Sequence, residues 1–479
     1  MSYAIVFYIV GWVLKFESYF LMLPLIVSLI YHENNFFAYL LVAAVCFLSG
    51  SLLTRNKPKN AKLYPRDGFV CVALSWILMS AFGAVPFVIT GDIPSYVDAL
   101  FETISGFTTT GASILTDVEA LSHSAMFWRS FTHWIGGMGV FVFIMAILPL
   151  LGGSTMNLMK AESPGPSVTR LVPKVKSTAK ILYMIYIVLT IIEIFLLLFG
   201  GMPLFDSITL SLGTAGTGGF GIKNDSIASY STYCQVVITI FMILFGINFN
   251  AYFLILIRKF RQAWESEEVR AYLLIITAAT LAITFNVRGY FSSFAQAFQQ
   301  TIFQVASIIT TTGYATTNFD LWPEFSRTII VLLMFVGACA GSTGGGIKVS
   351  RFLIMLKTVK KELIQLLHPR SVRRIQIDGK AIEHEVVRST NVYMGVYIFI
   401  FAFSMLLIAL NNFDLITNFT AVAATLNNIG PGLSLVGPSG NFSMFSDFSK
   451  LVLIFDMLAG RLELFPLLLL FVPNTWRRF

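Results

Sequence analysis

The chain is poor in charge and in cysteine, and each shortage excludes a class of protein. Asp, Glu, Lys and Arg make up 12% of its 479 residues, about half the share of an ordinary soluble domain. The four cysteines lie far apart, without CxxC or zinc-ligand spacing, so we interpret them as small buried hydrophobic residues. The sequence has no Walker loop, dinucleotide fingerprint or pair of catalytic acids, and we predict no enzyme.

Long apolar runs take the place of charge. Hydrophobic residues make up 56% of the chain, and ten runs each approach the ~20 residues that a spanning helix needs. We therefore predict an all-helical membrane protein with ten spans. The runs lie at residues 3–30, 36–53, 68–90, 128–151, 181–200, 233–257, 271–287, 328–346, 391–411 and 450–472.

The segments between the runs alternate in charge. Segment 348–388 carries ten Lys or Arg against four acids, and segments 54–67 and 152–180 are also basic. Segment 91–125 has five acids and no Lys or Arg, and segment 412–447 carries acids only. The positive-inside rule then predicts that both termini and the basic segments are cytoplasmic, and the overall charge of +8 needs no nucleic-acid partner.

Four half-apolar segments between the runs resemble one another, which indicates an internal repeat. Each has the pattern of a short helix that ends in small residues, hydroxyl residues and a glycine. The segments are VDALFETISGFTTTGAS (97–113), PLFDSITLSLGTAGTGGFG (203–221), QQTIFQVASIITTTGYATTN (299–318) and DLITNFTAVAATLNNIGPGLS (414–434). The matching glycines are Gly111, Gly219, Gly313 and Gly430, although the second segment also offers Gly216 and Gly218.

Segments of this kind predict a wet centre that favours a cation. Non-helical backbone at membrane depth persists only where it is buried in protein or lines water. A short helix that stops midway points its negative end toward the centre. The carbonyl oxygens that follow it replace the hydration shell of an alkali ion, and glycine lets them turn inward. The alternative is that the segments are ordinary helix C-caps and turns in a membrane bundle.

The candidate filter residues are those at and next to each matching glycine. They are Thr109, Thr110 and Gly111; Gly218, Gly219 and Phe220; Thr311, Thr312 and Gly313; and Asn428, Ile429 and Gly430.

Several motifs taken together resemble one family, and the likeness covers essentially the whole chain. The motifs are FTTTGAS, GTGGFG, TTTGYATTN, NNIGPG, GGMGVFVFIMAILPLLGG, GACAGSTGGGIKVSRF and DMLAGRLELFP. They are similar to the TrkH/TrkG branch of the bacterial and plant K⁺ transporter superfamily that includes KtrB and HKT. The resemblance implies a K⁺-translocating subunit of the bacterial inner membrane. It further implies a homodimer with a TrkA-like, nucleotide-binding regulatory subunit in the cytoplasm, K⁺ as the transported ion and no organic cofactor.

The implied fold is two N-terminal spans followed by four repeats of span, re-entrant pore helix and span around a central pore. We place the leading spans at 1–60 and the repeats at 61–155, 156–262, 263–375 and 376–479. Each repeat keeps a single matching glycine where tetrameric K⁺ channels have TVGYG. We therefore expect fewer carbonyl rings and weaker discrimination of K⁺ from Na⁺ or Rb⁺.

The stretch GACAGSTGGGIK (337–348), which we call the glycine loop, interrupts the eighth run. Glycine costs a helix about 1 kcal/mol relative to alanine, so we predict a break there. The resemblance implies an intramembrane gate under the filter; the alternative is a packing kink. The gate residues are Gly341, Ser342, Thr343, Gly344, Gly345, Gly346, Lys348 and, in the last span, Arg461.

Charges inside the last run need partners, because a charge near the bilayer centre costs at least ~2.5 kcal/mol. Arg461 lies five residues after Asp456 and two before Glu463, and neither is the favourable i,i+4 spacing. We therefore expect Arg461 to face the pore and limit leak, as the resemblance also implies. The alternative is an interhelical ion pair with an acid such as Glu193.

Three further groups of polar residues lead to separate expectations. His133 is predicted to make a buried interhelical hydrogen bond and Arg129 to extend toward the membrane surface. Three acids are expected near the starts of short helices, where they complement the positive helix end; these are Glu102, Asp206 and Asp414. The basic segment 349–389, which follows the glycine loop, is the candidate docking surface for a partner.

Three other functions are alternatives at the level of the sequence. A Na⁺- or H⁺-coupled K⁺ symporter would use the same path. A membrane enzyme or lipid flippase would need a polar catalytic cluster on one face, and none is evident. A non-transporting sensor is the third alternative.

Overall fold

The computed structural model describes residues 3–58, 64–139, 175–370 and 374–477. Several predictions lie wholly or partly outside these ranges. They are the second half of the 128–151 run, which carries most of the GGMGVFVFIMAILPLLGG motif, most of the basic segment 152–180, and the repeat boundaries near 60 and 155.

The described chain is mainly helical, and the exception to the all-helical prediction is one short hairpin. The helices are α1 (Tyr3–Phe20), α2 (Met22–Ile30), α3 (Phe36–Thr54), α4 (Pro65–Thr90), α5 (Tyr96–Phe107), α6 (His123–Met138), α7 (Val175–Phe199), α8 (Leu204–Ala215), α9 (Thr232–Phe245), α10 (Phe249–Leu256), α11 (Phe260–Trp264), α12 (Glu267–Val287), α13 (Phe294–Ile309), α14 (Glu324–Val336), α15 (Val349–Leu367), α16 (His384–Ile408), α17 (Leu415–Leu426), α18 (Asp447–Arg461) and α19 (Phe465–Leu468). Strands β1 (Gln376–Ile377) and β2 (Lys380–Ala381) form one antiparallel hairpin.

Six helical stretches of the described residues are long and apolar enough to cross a membrane, or seven if one bent pair is counted. They are Tyr3–Ile30, Phe36–Thr54, Arg66–Thr90, Lys180–Phe199, Glu267–Tyr290 and His384–Asn411. The prediction of a multi-pass membrane protein is confirmed, but ten is too many for continuous spanning helices. Three of the remaining runs are interrupted, and the fourth leaves the described ranges.

The three interruptions follow the helices α9, α14 and α18. α9 and α10 meet at 91° across residues 246–248, where Asn248 caps α10 by accepting from the N–H of Asn250. α14 ends before Gly337, whose φ is +69°. α18 ends at Arg461, and the next turn has positive φ at both Glu463 and Leu464. The sequence predicts the break after α14 and misses the other two.

Four short helices follow long apolar ones and stop well short of a full span. α5, α8, α13 and α17 have 12, 12, 16 and 12 residues. At 1.5 Å per residue the 12-residue helices are about 18 Å long, against ~30 Å of hydrocarbon. Ser95, Ser293 and Asp414 cap three of them by accepting backbone N–H groups. Among the described residues, the order long helix, short helix, extended chain, second helix therefore recurs four times.

The outer surface suits a bilayer. Many large apolar side chains are exposed on the long helices, among them Leu52 at 73% and Phe199 at 86%, as expected where lipid replaces water. α1 and α3 approach so closely that a methyl group on Gly50 would lie 2.5 Å from the carbonyl oxygen of Gly11. Small residues at such contacts are typical of membrane helix pairs.

Candidate ion path and gate

The four short helices end with the same backbone geometry. In α5, Thr109 N–H donates to Gly106 O at 3.0 Å and Thr110 N–H donates to Ser105 O at 2.8 Å. This pair of bonds is the Schellman C-cap, which usually places glycine in the left-handed position. The same pair ends α8, α13 and α17. The short helices therefore do end in C-caps, as the alternative interpretation expects. These caps differ from ordinary ones in the residues that form them.

The left-handed residue of each cap is not glycine. It is Thr109, Thr217, Thr311 or Asn428, with φ between +52° and +59°. A β-branched residue at positive φ is a genuine outlier, and such strain costs about 1–3 kcal/mol and is typical of functional sites. The structure therefore holds three threonines in a conformation that their own side chains disfavour.

The third residue of each tripeptide is a glycine at positive φ. The tripeptides are Thr109–Gly111, Thr217–Gly219, Thr311–Gly313 and Asn428–Gly430, and the glycine φ values are +77°, +83°, +87° and +100°. The middle residue has no positive φ. The second tripeptide begins at Thr217, one residue before the predicted Gly218–Phe220. This settles the equivalent glycine as Gly219 and leaves Phe220 beyond the tripeptide.

The four tripeptides contact one another in a closed cycle. A methyl group on the glycine of one would collide with the middle carbonyl oxygen of the next. The distances from the added carbon to that oxygen are 2.0 Å (Gly111 to Gly218), 1.8 Å (Gly219 to Thr312), 2.1 Å (Gly313 to Ile429) and 2.8 Å (Gly430 to Thr110). Each link joins consecutive tripeptides and the fourth returns to the first, so all the predicted filter segments come together.

The glycine loop lies directly against the third and fourth tripeptides. Gly345 N–H donates to Thr311 Oγ1 at 2.6 Å. A methyl group on Gly344 would lie 3.0 Å from Thr310 O, and one on Gly345 would lie 2.8 Å from Asn427 O. The loop is therefore in contact with residues at the base of two tripeptides, and its glycines are needed for that approach.

The ends of the loop are held by backbone bonds and by one buried acid. Cys339 N–H donates to Gly246 O at 3.1 Å, and Phe249 N–H donates to Gly341 O at 3.0 Å. Glu268, at the start of α12, accepts from the N–H groups of Ala340 at 2.6 Å and Ser350 at 3.1 Å with one carboxylate oxygen. No local sequence pattern indicates this role of Glu268. Lys348 Nζ donates back to the carbonyls of Gly344 and Gly345.

Arg461 bridges two distant parts of the site. Its guanidinium donates to Thr343 O in the glycine loop at 2.9 Å and to Gly136 O at the end of α6 at 2.6 Å. A methyl group on Gly136 would lie 1.8 Å from Phe107 O, just before the first tripeptide. Arg461 is not paired with Glu193 among the described contacts, so the ion-pair alternative is not supported.

The acids near Arg461 have other partners. Asp456 accepts from Ser404 Oγ at 2.6 Å. Glu463 forms an ion pair with Arg351, which lies in the first turn of α15 directly after the glycine loop. The expectation that each charge in the last run needs a partner is met for both acids, and Arg461 uses carbonyl oxygens.

The predictions for Arg129 and Glu102 are wrong. Arg129 is 2% exposed and pairs with Glu102 at 2.7 Å instead of reaching the membrane surface. Glu102 is the seventh residue of α5 and fully buried, so it does not lie at the helix start. Asp206 does lie in a first turn, and Asp414 is an N-cap. Hydrogen bonds from the Thr417 hydroxyl and N–H hold the pKa of the Asp414 carboxyl below its usual range.

The prediction for His133 is confirmed. Its Nδ1 lies 2.9 Å from Gly106 O, and Phe220 N–H donates to its Nε2 at 3.2 Å. The described part of the chain offers no cluster of three or more His, Cys, Asp or Glu side chains that could hold a metal ion.

Comparison with known proteins agrees with this geometry. Residues 32–478 match the TrkH family model, described as cation transport protein. The chain is 37% identical to a Trk system potassium uptake protein TrkH of Salmonella typhimurium over 98% of both chains. It is 33% identical to TrkG of Escherichia coli over 99% of this chain and 98% of the other. The crystal structure of the potassium transporter TrkH from Vibrio parahaemolyticus superposes with a TM-score of 0.89, at 34% identity and full coverage of both chains.

Proposed function

Because this chain belongs to the TrkH family of cation transport proteins, we propose that it is the K⁺-translocating subunit of a Trk-type uptake system. The relatives are named as potassium uptake proteins, which is a transport function and agrees with the expectation that the chain is not an enzyme. The observation that carries the proposal is the closed cycle of four tripeptides, which brings four equivalent carbonyl groups to one place.

The tripeptide carbonyls form the ion filter. Alternation of positive, negative and positive φ turns successive carbonyl groups to one side of the backbone, where they replace K⁺ hydration. The negative ends of four short helices converge on the same point and add to its preference for a cation. The architecture that follows is a pair of leading spans and four repeats of span, pore helix and span around one pore.

The glycine loop and Arg461 form the gate below the filter. The cycle order makes the first and third tripeptides diagonal partners, and Arg461 connects the end of α6 in the first repeat with Thr343 in the third. Arg461 stands in the fourth repeat, between these two, and we infer that its guanidinium lies beside the path beneath the tripeptides. A fixed positive charge there repels K⁺, and the loop under Thr311 and Asn427 obstructs its exit.

A regulatory partner acts on this gate through the basic segment 349–389. α15 begins directly after the loop, and its Arg351 holds Glu463, two residues beyond Arg461. A displacement of α15 therefore reaches both gate elements. We propose a homodimer in the bacterial inner membrane with cytoplasmic termini and a TrkA-like subunit on the same face.

Flux driven by the membrane potential would gain ~2.3 kcal/mol per charge per 100 mV. The test is ion flux from purified protein in liposomes, with K⁺, Na⁺ and Rb⁺ compared. We expect K⁺ uptake that follows an imposed potential without a second ion. Strict dependence of uptake on Na⁺ or H⁺ would favour the coupled symporter, and absence of K⁺ flux from folded protein would refute the proposal.

A further inference from the structure

The second tripeptide lacks a side chain where the other three have one. Its middle residue is Gly218, whereas the equivalent residues are Thr110, Thr312 and Ile429. The two threonine hydroxyls hydrogen-bond to Thr108 and Thr310 at 2.8 and 2.7 Å, and so tie their tripeptides to the preceding short helix. Gly218 has no side chain that could form such a bond, and glycine has the largest conformational freedom of any residue.

The imidazole of His133 fills the space that this missing side chain leaves. A methyl group on Gly218 would lie 2.1 Å from His133 Nδ1. A methyl group on Gly216 would lie 2.2 Å from the carbonyl oxygen of His133. His133 is fully buried in α6, and its ring lies 4.2 Å from the Phe220 ring, centroid to centroid.

The two ring nitrogens of His133 join neighbouring repeats. Gly106 O can only accept, so Nδ1 donates to it; Phe220 N–H can only donate, so Nε2 accepts from it. One tautomer of neutral imidazole satisfies both bonds. Gly106 also accepts from Thr109 N–H in the cap before the first tripeptide. His133 thus fixes the residue after Gly219 relative to the first tripeptide.

Arg129, one turn earlier on α6, holds the chain beyond both tripeptides. It donates to Gly221 O at 3.2 Å, and its guanidinium carbon lies 4.0 Å from the centre of the Phe220 ring. Its partner Glu102 accepts from Ser113 Oγ at 2.9 Å and from Ile114 N–H at 3.0 Å. The Arg129–Glu102 pair therefore holds the chain that directly follows the first tripeptide and the chain that directly follows the second.

These polar residues occupy helix positions that are apolar in the other repeats. The helices that follow the four tripeptides are α6, α9, α14 and α18, and their N-caps are residues 122, 231, 323 and 446. The residue eleven positions after the N-cap is a histidine in α6 and a fully buried methionine in each of the other three. The residue seven positions after the N-cap is an arginine in α6, an isoleucine in α9 and α14, and a leucine in α18. The residues other than His133 and Arg129 are Met242, Met334, Met457, Ile238, Ile330 and Leu453.

We propose that His133, braced by the Arg129–Glu102 pair, is a positioning residue that sets ion selectivity by holding the carbonyl groups of Thr217, Gly218 and Gly219 in place. This inference rests on the proposed function, because it assumes that the tripeptides form the filter. A filter discriminates K⁺ from Na⁺ only if its carbonyl groups keep their number and spacing. The tripeptide with glycine at its middle position is the one that His133 supports from outside.

The test compares K⁺ and Na⁺ flux in liposomes for wild-type protein and five variants. His133→Met installs the residue of the other repeats and removes both bonds, and loss of about tenfold in the K⁺/Na⁺ flux ratio is expected. His133→Gln keeps a donor and an acceptor and is expected to retain most of the ratio. Met242→Leu changes the matching position of the next repeat and is the control, with the wild-type ratio.

The other two variants are His133→Ala alone and His133→Ala with Gly218→Thr, which returns a side chain to the tripeptide. His133→Ala with Gly218→Thr is expected to recover part of the ratio that His133→Ala alone loses, because the threonine occupies the vacated space. A wild-type ratio in both His133→Met and His133→Ala would overturn the inference. If His133→Met does not fold, equal ratios in His133→Gln and His133→Ala overturn it. Wild-type protein that carries no K⁺ would instead refute the proposed function.

Discussion

Substitution of Gly219 by alanine gives the sharpest test of the tripeptide cycle. Gly219 has φ of +83°, and a methyl group there would lie 1.8 Å from Thr312 O. Ordinary contact begins at 3.4 Å, so the second and third tripeptides must separate by about 1.6 Å, the difference of the two distances. A shift of that size exceeds what a carbonyl cage can absorb while it still surrounds one dehydrated ion.

The backbone conformation adds a smaller, separate cost. Left-handed φ costs an alanine about 1–2 kcal/mol, which corresponds to roughly 5–30-fold in population. Gly201→Ala isolates this term, because Gly201 has φ of +80° and no atom within 4 Å of an added methyl group. Gly430→Ala is intermediate, since its methyl group would lie 2.8 Å from Thr110 O.

The assay is potential-driven K⁺ uptake into liposomes, with Na⁺ uptake measured in parallel and folding checked by gel filtration. Gly219→Ala should lose K⁺ uptake or K⁺/Na⁺ preference far more than Gly430→Ala, and Gly201→Ala should keep the wild-type ratio. If folded Gly219→Ala protein transports K⁺ with wild-type rate and preference, the contact between tripeptides has no role in permeation and the reasoning fails.

Four further outcomes are expected. Deletion of 341–346 should raise K⁺ flux without the regulatory partner, and unchanged or lower flux in folded protein would count against a gate. Arg461→Ala should raise K⁺ conductance about fourfold, because a unit charge ~5 Å away in water repels K⁺ by about 0.8 kcal/mol. Arg461→Lys should be intermediate, and a fall in conductance at normal expression would contradict the gate. Glu268→Ala should release both ends of the loop and raise unregulated flux less than the deletion does. Asp414→Ala should lower stability by about 1 kcal/mol through loss of the N-cap, and unchanged thermal unfolding would contradict that role.

The short helices of the path and three of its four glycines could be predicted from the sequence, because both leave local signals. Apolar runs of spanning length and the repeated TTTG pattern each record a requirement of one short segment. The register of GTAGTGG could not be read in the same way. Three of its glycines fit the pattern equally, and only the cap that places Thr217 in the left-handed position makes Gly219 the equivalent residue.

Contacts between distant segments left no local signal. Arg129 and Glu102 are 27 residues apart and stand on different helices, so neither sequence neighbourhood reveals the pair. The 91° bend after α9 is also hidden, since the surrounding residues are apolar and Gly246 and Asn248 are its only local signs. Arg461 is different: its unfavourable spacing from nearby acids did predict a partner elsewhere.

Anomalous diffraction from crystals soaked in Tl⁺ or Rb⁺ would test the central claim most directly. The account predicts one strong peak enclosed by the carbonyl oxygens of Thr110, Gly218, Thr312 and Ile429, and a loss of that peak in Gly219→Ala crystals. An ordered ion bound elsewhere in the membrane region, with the space between the four tripeptides unoccupied at saturating ion, would contradict it.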